Sequence, residues 1–171
     1  MRKTRTRLLA AAGSMLAAGA LALSGIVVAA AAPHTARAGT SGLERFQFMS
    51  TSATSTKTTV IARGVFTAGG IDIETSNTTD TLKFPNGTIR LRHSEPVGSV
   101  YFNRHTCLLN VFQHGTYKLL GGTGKYAGIS GYGRFQLHIL SVGARSQGKC
   151  DDTKPPAAFE LVIRAFGPVH L

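Results

Sequence analysis

The sequence predicts an all-β fold, an antiparallel barrel of about eight strands with one disulfide, and three observations lead there. Short runs of alternating apolar and polar residues recur from residue 43 onward. Gly, Pro and Asn punctuate them, as turns between strands require. Nowhere beyond residue 38 do apolar residues recur at the three-to-four spacing of an amphipathic helix.

The elements follow in chain order. Residues 1–38 read as a secretory signal: Arg2, Lys3, Arg5 and Arg7 precede an Ala-rich apolar run from Leu8 to Ala32. Ala36-Arg37-Ala38 then fits the small-x-small cleavage pattern. The alternative is an uncleaved anchor, since the apolar run is long enough to span a bilayer. Cleavage near Ala38 predicts a secreted, extracellular single domain over 39–171. Five of the 19 Lys and Arg, and none of the eight acids, fall in residues 1–38, which leaves +6 on the domain. That charge is compatible with an anionic cell-envelope polymer as partner. No basic stripe with interleaved aromatics marks a nucleic-acid surface.

Leu43–Ser50 alternates through Phe46 and Phe48, and the Ser/Thr-rich residues 50–59 predict a loop or exposed edge. Thr58–Phe66 is rich in β-formers, and Gly69-Gly70 predicts a turn. Ile71-Asp-Ile-Glu74 alternates, with Asp72 and Glu74 expected on the solvent side. Thr81–Phe84, a turn at Pro85-Asn86-Gly87 and Thr88–His93 form a hairpin; Ile89 and Leu91 share one face, and His93 continues it. Val97–Asn103, Cys107–Leu119, Gly131–Leu140 and Ala158–Phe166 complete the set.

Within the hairpin of 107–140, Cys107, Leu109 and Val111 match Phe135, Leu137 and Ile139 as a core side. The other side carries Asn110, Phe112, His114 and Thr116 beside Tyr132, Arg134, Gln136 and His138. It faces solvent, the default for an antiparallel sheet, or it lines a wet cavity. In the second case Asn110, His114, Tyr132, Arg134 and His138 become candidate ligand contacts.

Cys107 and Cys150 are the two cysteines, and in an exported chain an even count reads as a disulfide. It closes a loop worth about 4 kcal/mol in the chain-entropy model. The alternative, a metal site with His105 and His114, matches no standard zinc spacing, and no metal is assigned.

Between the two strands of the 107–140 hairpin, and overlapping their ends, runs Gly115-Thr-Tyr-Lys-Leu-Leu-Gly-Gly-Thr-Gly-Lys-Tyr-Ala-Gly-Ile-Ser-Gly-Tyr-Gly133. Gly121, Gly122, Gly124 and Gly128 are read as turn residues, with positive φ expected at Gly122. The phosphate-loop pattern fails, because Leu119 and Tyr126 occupy its glycine and Ser/Thr positions. Gly122-Thr-Gly-Lys-Tyr-Ala127 satisfies a loose dinucleotide pattern, but leads into residues that cannot sustain the required helix.

Lys118-Leu-Leu-Gly-Gly-Thr-Gly-Lys-Tyr-Ala-Gly-Ile-Ser-Gly131 resembles the signature turn of the allene oxide cyclase and dirigent barrels, above all their exported bacterial members. Ala62-Arg-Gly-Val-Phe-Thr-Ala-Gly-Gly70 and Phe84-Pro-Asn-Gly-Thr88 add to the likeness, which covers residues 43–167. The resemblance implies an eight-stranded barrel with a central cavity, often trimeric, and no cofactor. Plant members close rings of fatty-acid epoxides or steer phenoxy-radical coupling. No catalytic residue of theirs carries over to a position here.

No nucleophile elbow or paired carboxylates stand out in the chain. The functional expectation is therefore a secreted barrel that binds a small apolar or amphipathic molecule. A cofactor-free isomerase or cyclase of the same fold is one alternative. A structural or envelope-binding protein without catalysis is the other.

Overall fold

A computed structural model describes residues 39–171; the signal-peptide reading of 1–38 lies outside the described residues. Eleven strands form the domain: β1 (Ser41–Ser50), β2 (Lys57–Arg63), β3 (Thr67–Ser76), β4 (Thr79–Phe84), β5 (Gly87–His93), β6 (Val97–Asn103), β7 (Leu108–Gly122), β8 (Ser130–Val142), β9 (Ala144–Ser146), β10 (Lys149–Asp151) and β11 (Ala158–His170). Eight of them, in the order β1-β2-β3-β4-β5-β7-β8-β11, pair antiparallel and close on themselves. Closure removes the free edges of an open sheet.

β7 is the longest strand because it has two partners on one side. Tyr117–Gly122 pairs with β5, and Leu108–His114 pairs with β6. β5 and β6 thus run end to end along β7, kinked at residues 94–96, where Ser94 N donates to Thr116 O at 2.9 Å. β6 carries this part of the sheet past the barrel end. There the Cys107–Cys150 disulfide, with Cα atoms 5.5 Å apart, ties the β6–β7 turn to the β9–β10 hairpin.

The period-two pattern assigns the faces. Phe46, Phe48, Val60, Ala62, Leu82, Ile89, Leu91, Tyr117, Leu119, Phe135 and Ala165 point inward and are buried. Two expectations are corrected. Gly69-Gly70 is not a turn but lies inside β3; the chain reverses over residues 64–66. The β4–β5 turn falls one residue early, on Pro85-Asn86, and Gly87 pairs with Phe84.

The glycine segment closes one end of the barrel. It turns inward through a short 3-10 element, Gly124–Tyr126, and buries Tyr126 and Ile129. Tyr126 stacks on Phe66 and Phe84, with ring centroids 4.9 and 5.4 Å away. The backbone is pinned to the β4–β5 turn: Lys125 N donates to Asn86 O and Thr123 N to Thr88 O, at 2.9 and 2.8 Å. Gly124 has φ of 61°, and a Cβ there would lie 2.2 Å from Asn86 O. Gly121 and Gly128 also have positive φ, but the positive φ expected at Gly122 is absent. Gly122 is required for a different reason: its Cβ would lie 2.5 Å from Thr88 O and 2.6 Å from Tyr126 O.

Candidate ligand-binding cavity

Behind this floor the barrel is not filled. A cavity of about 290 Å³ opens toward the other end. Its walls are Phe46, Phe48, Leu91, Phe135, Leu137, Leu161, Ile163 and Ala165. The rim is formed by Ser55 and Thr56 of the β1–β2 loop, Asn77 of the β3–β4 turn and Pro96 of the β5–β6 kink.

One side of the cavity is polar. Asp72 from β3, Asp80 from β4 and His93 from β5 point inward, with Glu74 at the rim. Cross-strand register brings them together, since Glu74 lies opposite Asp80 and Asp80 opposite Leu91, two residues before His93. His93 Nε2 sits 3.4 Å from Asp80 Oδ2, its Nδ1 is 2.8 Å from Ser94 O, and its ring meets Phe135 edge-on. Asp72 is buried, and its Oδ1 has no hydrogen-bond partner. The hydroxyl of buried Tyr117, on the same cavity, also has none.

Burial dominates the proton affinities here. It pushes the Asp72 carboxyl up to about 7, and the neighbouring Asp80 and Glu74 charges push the same way. Burial also raises Asp80, to about 6, with His93 opposing and Glu74 adding to the rise. Tyr117 is pushed up to about 12 by burial and by the Glu44 carboxylate. Glu44 is fully buried; its carboxylate accepts from Phe66 N at 3.1 Å and Arg45 N at 3.2 Å. Burial raises its proton affinity too, against those backbone donors. Glu44 holds the β2–β3 turn against the barrel.

The expectation that Asp72 faces solvent is thus reversed. β3 presents Asp72 inward and Ile71 outward, the latter 48% exposed. Its pairing with β2 and β4 sets this phase: Asp72 lies opposite Leu82, which is fully buried. Strict alternation has two possible phases, and the apolar one was the wrong choice for this strand. A usable signal was present elsewhere: Asp80 precedes Leu82 and Phe84, and His93 follows Ile89 and Leu91, each in phase with an apolar face.

The five residues proposed from the hairpin lie on its outer face. Phe135 and Leu137, on the opposite face, line the cavity instead. Asn110 and His138 meet, with Oδ1 and Nε2 2.9 Å apart. His114 pairs with Gln136, Arg134 with Thr116 and Tyr132 with Lys118, farther along the strands. Arg134 belongs to a wider pattern. Arg63, Arg45, Phe166 and Arg134 form one row across β2, β1, β11 and β8 on the outside, all exposed. The wall therefore sorts charge, with Glu44, Asp72 and Asp80 inside and arginines outside.

Cys107 and Cys150 are taken up by the disulfide, and no metal-ligating cluster of His, Cys, Asp or Glu occurs among the described residues. Comparison with known protein families, with curated proteins and with solved structures found no match.

Proposed function

We propose that this chain is an exported binding barrel that holds a small apolar or amphipathic molecule. The observation that carries the reading is the unfilled interior. Small barrels commonly pack their centre with side chains. Here, with Ala165 at one wall, about 290 Å³ stays open behind a rim of exposed Ser55, Thr56 and Asn77 and half-buried Pro96. That is near the lower end of the range for ligand pockets. Kinship with the allene oxide cyclase and dirigent barrels is part of the same proposal; the closed eight-strand barrel and its inserted Gly-Gly-Thr-Gly turn support it. Export is part of it as well, because a disulfide suits an oxidising compartment.

Native mass spectrometry of the protein from its own host tests the reading. A stoichiometric adduct is expected, lost in Ala165→Phe, which fills the cavity. A protein that leaves its host bare, and binds no apolar probe when offered one, would end it.

A second reading is a cofactor-free isomerase or cyclase in the same cavity. It is favoured by Asp72 and Asp80, whose carboxyls are pushed up to about 7 and about 6, with His93 beside Asp80. Groups poised near working pH give and take protons effectively. Exchange of ligand hydrogens with D₂O, dependent on Asp72, is the expected signature. A bound ligand that exchanges none would remove the catalytic reading and leave the binding one.

A further inference from the structure

The polar side of the cavity carries one sign of charge. Asp72, Glu74 and Asp80 contribute carboxyl groups; among the described residues His93 is the single basic side chain, and no Lys or Arg lines the space. His93 is already engaged with Asp80. Among the described residues no cation pairs with Asp72 or Glu74. Asp72 and Tyr117 line the cavity, and buried Asp72 Oδ1 and Tyr117 Oη have no partner among the described residues. Asp72 is 9% exposed and Tyr117 5%. Leaving such groups unsatisfied costs stability, so each points to a missing donor or acceptor. The opposite walls are aromatic: Phe46, Phe48 and Phe135 face the same space, and Phe46 meets Tyr117 edge-on at 6.1 Å. Aromatic faces attract cations through their quadrupoles, most strongly when the ion is desolvated.

We propose that the cavity selects a small organic cation, an amine or quaternary ammonium carried on an apolar body. The cationic end sits against Asp72, with Asp80 and Glu74 behind it, and the apolar body lies along Phe48, Leu137 and Ile163. An anionic head group is disfavoured twice, by the carboxylates and by the absence of any basic side chain able to pair with it. The assignment rests on the reading of the barrel as a binder and narrows it to one ligand chemistry. Binding also supplies the charge that buried Asp72 lacks, so a bound cation draws its proton affinity back down.

The test is calorimetric titration of the full chain, at about pH 8 where Asp72 is mostly ionised, with three probes that share one body: octylamine, octanol and octanoate. Octylamine is expected to bind roughly tenfold or more tighter than octanol, and octanoate more weakly than either. In Asp72→Asn the ratio of amine to alcohol affinity should fall toward one. Asp80→Asn, which removes the second carboxylate, should lower the same ratio less and serves if Asp72→Asn does not fold. Octanoate binding as tightly as octylamine overturns the inference. So does an amine-to-alcohol ratio of one in the wild type, although octanol binding would then still uphold the cavity reading. If none of the three probes binds, the cavity reading falls, and the cation inference with it.

Discussion

The two ends of this barrel are built on opposite principles. At the floor, the rings of Tyr126, Phe66 and Phe84 pack edge-on and tilted against one another beside buried Ile129, and the backbone of the glycine segment is hydrogen-bonded to the β4–β5 turn. Even Glu44, fully buried there, accepts from backbone N–H groups. At the mouth, three carboxyl groups crowd one side of an apolar cavity, and the buried Asp72 Oδ1 has no partner among the described residues. The floor is optimised for stability. The mouth gives some of it up, as sites shaped for a ligand commonly do. The contrast is the reason the proposed ligand is placed at the mouth.

Four experiments break or sharpen the contrast. The largest effect is expected at the floor. Gly122→Val places a side chain against two backbone oxygens that cannot swing away, so a loss on the order of 5 kcal/mol and little folded protein is expected. A normal melting profile would show that the floor is not the rigid element described.

Next is the staple beyond the mouth. Cys107→Ser opens a loop of sequence separation 43 and should cost about 4 kcal/mol. Melting of the wild type with and without reductant checks it, and equal midpoints would count against the staple.

The third test turns on Asp72. Its carboxyl moves from 3.8 to about 7 on folding, so between those values the folded state holds a proton that the unfolded state has released. The contribution of Asp72 to stability is therefore fully present below about pH 4 and is lost as pH rises to about 7, by on the order of 4 kcal/mol for the whole shift. Asp72→Asn should flatten that descent and raise stability by roughly 2 kcal/mol at about pH 8. A wild-type midpoint that climbs from pH 4 to pH 7 in steps of about one unit would reverse the assigned sign.

The smallest effect is expected on the outer wall. His138→Ala breaks an exposed bond to Asn110, and should change stability by less than about 0.5 kcal/mol and leave probe binding in the cavity untouched. Loss of probe binding would move the site to the outer face.

Much of the scaffold was legible before any coordinates. Ile89 with Leu91, and Phe135 with Leu137, alternate against polar neighbours, and each pair does face inward. The disulfide followed from two cysteines in a chain expected to be exported. The site was harder to read, because its acids break the rule that makes strands readable. On β3 the isoleucines are the outer residues, and the aspartate is the inner one. Alternation alone cannot reveal that inversion, which depends on which phase of β3 meets Leu82 across the sheet. The glycine segment was recognisable as a turn, but not as a plug. That role depends on where Tyr126 points, which no local pattern encodes.

The floor has a kinetic consequence. If the barrel holds the proposed ligand, the floor formed by Tyr126 and Ile129 leaves, among the described residues, the doorway bordered by Ser55, Thr56, Asn77 and Pro96 for its exchange. Residence time is then governed by the doorway and affinity by the room behind it. Substitutions at Asn77 or Thr56 should speed or slow entry and exit together, and leave the equilibrium between them where the walls have set it.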